Sequence, residues 1–336
     1  MEKQAEPTED VNIAGPTGQG LARLFPVMAG ATLVTALMAV VMGGVVRVTG
    51  SGLGCPDWPL CHGRIIPPWE LSPWLEYLHR FSAAVAGGFT LLLVITAFKR
   101  FGTRNKSFYL VLLAAGLLVI QAMLGAYTVL SELRPGIALI HTVVATTLVG
   151  VLTVIAAGTL RPPWLREGVG RSRQLDRFQW LMMALGVATF ILILSGAYVT
   201  RTDGAPLACT EVPNCGTSLG DMIDVQWIHM IHRAIGLFVG ILMLVVVVRS
   251  AVLGHVGIMV MTGLMAALLA VQMGLGIGNV VLRLPPEIRA MHLATAMLFF
   301  TVAIFLIGSL GRNILMGAES TATPVQGIGA PSGVLQ

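Results

Sequence analysis

The sequence predicts an all-α membrane protein: eight transmembrane helices forming two homologous four-helix bundles, related by a pseudo-twofold axis along the membrane normal. Three observations carry this expectation. Of 336 residues, 55% are apolar and 11% charged, and the mean hydropathy is +0.83, which is foreign to water-soluble domains. Apolar runs recur at about the 20 residues that cross roughly 30 Å of hydrocarbon. The second half of the chain also repeats the motifs of the first.

The runs fall near residues 25–46, 77–98, 108–130 and 137–160, then 178–200, 225–248, 257–281 and 290–310. An even number of spans puts both termini on one side of the membrane. The expected organisation is a tail over 1–24, a bundle over 25–160, a linker over 161–177, a second bundle over 178–312 and a tail over 313–336. Glu2, Glu6, Glu9 and Asp10 make the first residues unlike a signal or transit peptide. Both tails are expected to be disordered and cytoplasmic.

The formal charge is +5. The basic residues sit in short loops between spans, so they read as topology rather than as a nucleic-acid footprint. Lys99, Arg100, Arg104 and Lys106 follow the second span, and Arg161, Arg166, Arg171, Arg173 and Arg177 follow the fourth. These loops are expected in the cytoplasm, and Arg23, Arg249 and Arg312 agree. The opposite face carries Arg47, Arg64, Arg134, Arg201, Arg283 and Arg289, more than orientation alone requires.

The repeat is specific in register. Trp74, His79 and Arg80 align with Trp227, His232 and Arg233 at an offset of 153; Gln121, Gly125, Pro135 and His141 align with Gln272, Gly276, Pro286 and His292 at 151. Cys55 and Cys61 match Cys209 and Cys215 in spacing. Four spans per half give both halves the same orientation, unlike the inverted repeats of many transporters.

His79, His141, His232 and His292 each fall about one turn inside the outer end of an even-numbered span. An imidazole at membrane depth needs a partner. A hydrogen bond to a neighbouring helix explains any one of them, but four at one depth point to a shared role. Two same-direction helices per half, each offering a histidine, suit a haem iron clasped axially between helices. Zinc wants a third or fourth protein ligand, and copper is poorly supported. Haem propionates would seek Arg80, Arg233 or loop arginines, although snorkelling from helix ends explains those side chains equally well.

Glu76 precedes His79 by three residues and shares its helix face, whereas the second half has His229 at the equivalent place. A carboxylate beside one haem can accept protons or stabilise positive charge, which makes the first half the expected reaction site. The alternative is that Glu76 complements the positive N-terminal end of its helix. The four cysteines lie in outer loops, where disulfides Cys55–Cys61 and Cys209–Cys215 are expected. Metal binding would favour a tighter spacing, and His62 beside Cys61 keeps that alternative open.

The run Gly43-Gly-Val-Val-Arg47-Val-Thr-Gly-Ser-Gly-Leu-Gly-Cys55-Pro-Asp-Trp-Pro-Leu-Cys61, followed by Glu76, His79 and Arg80, resembles the haem A synthases, and the likeness extends through all eight spans. The second cysteine pair resembles a bacterial subgroup. The resemblance implies a membrane oxidoreductase of the bacterial cytoplasmic membrane. It would convert the C8 methyl group of haem O, through an alcohol, to the formyl group of haem A used by terminal oxidases. It implies that His232 and His292 ligate haem b, that His79 and His141 flank the substrate haem, and that Glu76 assists catalysis. Implied partners are membrane lipid, haem O synthase, the terminal oxidase assembly pathway, an unidentified electron acceptor and a second copy of the chain. An iron with two histidines has no open position, so either a ligand leaves or oxygen comes from water; the reading favours water, with Glu76 assisting. The rival class is a dihaem b-type electron-transfer cytochrome, against which Glu76 and its missing counterpart argue.

Overall fold

A computed structural model describes residues 16–166 and 172–310. It is all-helical, with eight helices long and apolar enough to cross a membrane. These are α1 (Phe25–Val48), α2 (Leu71–Phe101), α3 (Lys106–Leu130), α4 (Pro135–Leu160), α5 (Arg173–Val199), α6 (Asp224–Leu253), α7 (Val256–Val281) and α8 (Pro286–Leu310). Local chemistry sets their ends. Asn105 and Ser172 cap α3 and α5 by accepting the backbone N–H groups of Ser107 and Leu175. Proline opens α4 and α8, where its missing N–H costs nothing.

Packing makes two closed circuits. Helix α1 packs on α2, α2 on α3, α3 on α4 and α4 on α1; α5 to α8 follow the same pattern. Helix α8 joins the circuits by also packing on α1 and α4, and α4 touches α5. Small residues permit this seam: a Cβ on Gly308 would lie 2.9 Å from the Cβ of Ala157, the kind of close approach that helix association in lipid relies on. Several buried hydroxyls are satisfied within their own helices, as Thr153 donating to the carbonyl of Val149 and Thr301 to that of Met297, both at 2.7 Å, whereas that of Ser309 is buried without a partner among the described residues. In hydrocarbon an unsatisfied polar group costs several kcal/mol (roughly).

The turns between α3 and α4 and between α7 and α8 are built alike. Glu132 and Leu133 have φ of 57° and 62°, and Arg283 and Leu284 have 58° and 65°. Leu133 donates to the carbonyl of Thr128, and Leu284 to that of Asn279, tying down helix carbonyls that otherwise lack partners. Residues 16–23, expected as part of a tail without structure, include a short helix, Pro16–Arg23, that packs on α2. Its successor Phe25 is fully buried and meets Phe101 edge-on at 5.0 Å, and this burial gives the segment a surface to fold on. The linker contains a helical turn, Pro163–Arg166. Residues 1–15, 167–171 and 311–336, which include most of both expected tails, lie outside the described residues.

Candidate functional site: paired histidines below two disulfide-bonded loops

The four histidines lie on α2, α4, α6 and α8, deeper than about one turn. His79 and His232 come eight residues after Leu71 and Asp224, and His141 and His292 six after Pro135 and Pro286. Helices α2, α4 and α8 begin six, two and four residues before the apolar runs that mark them in sequence, whereas α6 begins only one residue early. His79 is close enough to His141 to interact with it electrostatically, and His232 with His292. The structure thus brings each expected pair together.

Within each pair the two imidazoles are held differently. His79 Nδ1 lies 2.9 Å from the carbonyl of Ala39, which can only accept, so Nδ1 carries the proton and Nε2 is left as a lone pair. His232 Nδ1 lies 2.8 Å from Ser195 Oγ, whose own proton goes to the carbonyl of Leu192; Nδ1 is again the donor. His141 and His292 instead present Nε2 to the side-chain amides of Gln121 and Gln272, at 3.1 and 3.2 Å. Their Nδ1 atoms are buried with no hydrogen-bond partner among the described residues.

Each ring also faces a glycine on a neighbouring helix. A Cβ would come within 2.8 Å of His79 Cε1 at Gly43, 3.3 Å of His141 Cε1 at Gly125, 2.9 Å of His232 Cε1 at Gly196 and 3.2 Å of His292 Cε1 at Gly276. A side chain at any of the four would push its imidazole aside.

Glu76 is 2% exposed. Its Oε1 pairs with Arg80 at 2.5 Å, the one ion pair among the described residues, and its Oε2 accepts the N–H of Cys55 at 2.9 Å. Arg80 also donates to the carbonyls of Cys55, Asp57 and Leu60, each at 2.8 Å. These bonds clamp the first loop onto α2, a use that its sequence does not announce. The disulfide Cys55–Cys61 closes that loop. Asp57 accepts the N–H groups of His62 and Gly63 at 2.6 and 2.7 Å, and these donors hold its carboxyl below the usual carboxylate range. His62 Nε2 is occupied by the carbonyl of Gly54.

The second loop repeats the clamp. Cys209–Cys215 is formed, and one arm of Arg233 donates to the carbonyls of Glu211, Pro213 and Asn214. Its Nη2 is buried without a partner among the described residues. His229, where the first half has Glu76, is also buried. Between the circuits, Arg47 donates to the carbonyl of Thr200, and Arg201 to the carbonyl of Ala197 and to Thr142 Oγ1. Burial and the charge of Arg47 push Arg201 down to about 9, a penalty that a carboxylate placed there would relieve.

The chain matches the family model described as cytochrome oxidase assembly protein, COX15-CtaA, over residues 27–74 and 70–304. It is 30% identical over 215 residues to a heme A synthase of Bacillus licheniformis, covering 61% of this chain and 68% of that protein. The chain belongs to the haem A synthase family. Heme A synthases of Shewanella oneidensis and Halalkalibacterium halodurans are 28% and 26% identical, over 87% and 84% of this chain and 96% and 95% of theirs.

The haem that membership of the haem A synthase family implies fits the residues present. Two histidines hold an Nε2 lone pair open, and four glycines leave room beside the rings where a Cβ would intrude. Gln121, Gln272, Gly125 and Gly276 belong to the sequence repeat, but their contact with the histidines had no signal in the sequence. Gly43 and Gly196, with the Ala39 carbonyl and Ser195, lie one helix away and were not singled out for the site.

Proposed function

We propose that this chain is a haem A synthase that oxidises the C8 methyl group of haem O to the formyl group of haem A. The reading is carried by one observation: each helix circuit contains two imidazoles near enough to interact, on helices of the same direction, each seated against a glycine. The circuits are taken as homologous bundles related by a pseudo-twofold along the membrane normal. The matched turns at Glu132–Leu133 and Arg283–Leu284 and the shared offsets support this.

In this reading the bundle over 25–160 takes haem O as substrate between His79 and His141, and the bundle over 178–312 holds haem b between His232 and His292. When bound, haem b supplies a one-electron redox centre. Glu76 is the catalytic carboxylate, three residues from His79. Arg80 and the Cys55 N–H fix its two oxygens, so it would present negative charge at a defined place and take up protons released as the methyl group gives four electrons to an external electron acceptor and gains its oxygen from water. The sequence position equivalent to Glu76 is His229, which leaves the second bundle to bind its haem without that chemistry.

Both terminal nitrogens of Arg80 are engaged, by three carbonyls of the first loop and by Glu76, so its main part is to orient Glu76. The partnerless Nη2 of Arg233 and the Arg47–Arg201 pair are better placed for propionates. In this reading the protein lies in the bacterial cytoplasmic membrane with both termini in the cytoplasm, a topology that the basic residues after α2 and α4 support. Haem O synthase and the terminal oxidase assembly route are its expected neighbours.

The test is to express the chain in a host supplied with haem O, extract non-covalent haems and identify them by mass. Haem A is expected only when this chain is present. Haem O left unchanged beside a fully haem-loaded protein would favour a dihaem electron-transfer cytochrome.

A further inference from the structure

In each pair, one imidazole keeps Nε2 open while the other has Nε2 covered by a glutamine from the preceding helix. The arrangement occurs twice in one register, since Gln121 and His141, and Gln272 and His292, are both 20 residues apart. The covered histidine leaves two groups stranded: its own Nδ1 and the amide Oε1 of its glutamine are buried with no partner among the described residues. A buried polar atom without a partner costs free energy, so the Gln–His bond is a holding arrangement in which one interaction compensates two unmet groups. Fixed histidines need no such device: His79 rests on a backbone carbonyl and His232 on a serine already anchored to its own helix.

We propose that Gln121 is a latch for His141: it accommodates the detached imidazole, so that taking up or releasing an iron exchanges a hydrogen bond for a coordinate bond at the same Nε2. This rests on the functional reading above, in which the iron at His79 and His141 belongs to a substrate and must leave after each turnover. A histidine with no resting partner would strand Nε2 in a buried site every time the iron departed. Gln121 removes that cost, so His141 would hold the iron less tightly than His79 would. Gln272 plays the same part at His292 and shows its effect only when haem b is loaded or lost.

Gln121 is thus a positioning residue, acting through His141. The prediction has a sign that a structural role does not share. Gln121→Met keeps length and shape but deletes the donor, so the detached state loses its hydrogen bond and bound haem gains. Gln121→Glu replaces the amide with a stronger partner for a protonated Nε2 and stabilises the detached state further.

The experiment uses the full-length protein in detergent with haem O as the probe. It measures equilibrium binding by absorbance and the rate at which apomyoglobin strips the haem. Relative to wild type, Gln121→Met should bind haem O about fivefold more tightly and release it more slowly, the value of one net hydrogen bond. Gln121→Glu should shift both in the opposite direction. Unchanged or weaker binding by the Met variant overturns the latch, and if that variant does not fold, tighter binding by the Glu variant overturns it equally. Wild-type protein that takes up no haem at all overturns the functional reading instead, so the two failures are distinct.

Discussion

Replacing Gly196 by alanine tests the haem b site through its shape alone. The added Cβ would lie 2.9 Å from His232 Cε1, 3.5 Å from Nδ1 and 3.6 Å from Nε2. Ordinary contact begins near 3.4 Å, so the ring must retreat by about half an ångström, away from the Ser195 hydroxyl now 2.8 Å from Nδ1. Overpacking of this kind costs about 1–3 kcal/mol. Weakening the hydrogen bond that fixes the tautomer adds about 1 kcal/mol. The sum, roughly 2–4 kcal/mol, is a loss of about 30- to 1000-fold in affinity for anything that His232 ligates.

The same substitution improves helix propensity by about 1 kcal/mol, which offsets part of that cost to the fold. Gly240→Ala is the internal control, because it lies on α6, the helix that carries His232, and a Cβ there meets nothing within 4 Å. Haem per protein from pyridine haemochrome spectra, read beside a thermal melt of each purified variant, separates the two effects. Low haem b in a variant that still melts cooperatively, at a modestly lower temperature, is expected for Gly196→Ala, and wild-type values for Gly240→Ala. Full haem b occupancy in Gly196→Ala would refute the argument that His232 is the ligand and this glycine its clearance.

Glu76→Gln should retain both haem sites, since its shape is nearly preserved, yet form little or no haem A in the extraction assay; normal production would reduce Glu76 to a brace for Arg80. Replacing His232 or His292 by alanine should lower the b-type absorbance of the purified protein, and undiminished absorbance in both variants would overturn the division between the bundles. Breaking Cys209–Cys215 by a double serine substitution frees a short loop, for which chain entropy predicts about 2 kcal/mol; faster proteolysis confined to residues 200–223 is the readout. Asp57 has a depressed folded-state pKa from the N–H groups of Gly63 and His62. Its contribution is therefore complete above the unfolded value of about 3.9 and is lost as pH falls through the lower folded value. Tryptophan fluorescence should report loosening of the first loop around Trp58 only at that acid end, whereas Asp57→Asn, which has no carboxyl to titrate, should show the looser loop without that acid transition.

The sequence by itself determined the eight spans, because twenty apolar residues in a row have no other stable home and helix is the structure that satisfies their backbone in lipid. It also singled out the four histidines, Glu76 and both cysteine pairs, since polar and ionisable groups stand out against hydrocarbon. The closeness of His79 to His141 and of His232 to His292, and the joining of the cysteines, needed the fold to be seen. Helix starts were misjudged where α2 begins with the polar turn around Trp74 and Glu76, ahead of its apolar run. Only the tertiary structure decided what touches the imidazoles. Ala39 contributes a carbonyl, Gly43 and Gly196 contribute the lack of an atom, and Gln121 contributes an amide from a separate helix. Such contributions depend on distances between helices, which hydropathy and spacing along one chain do not encode.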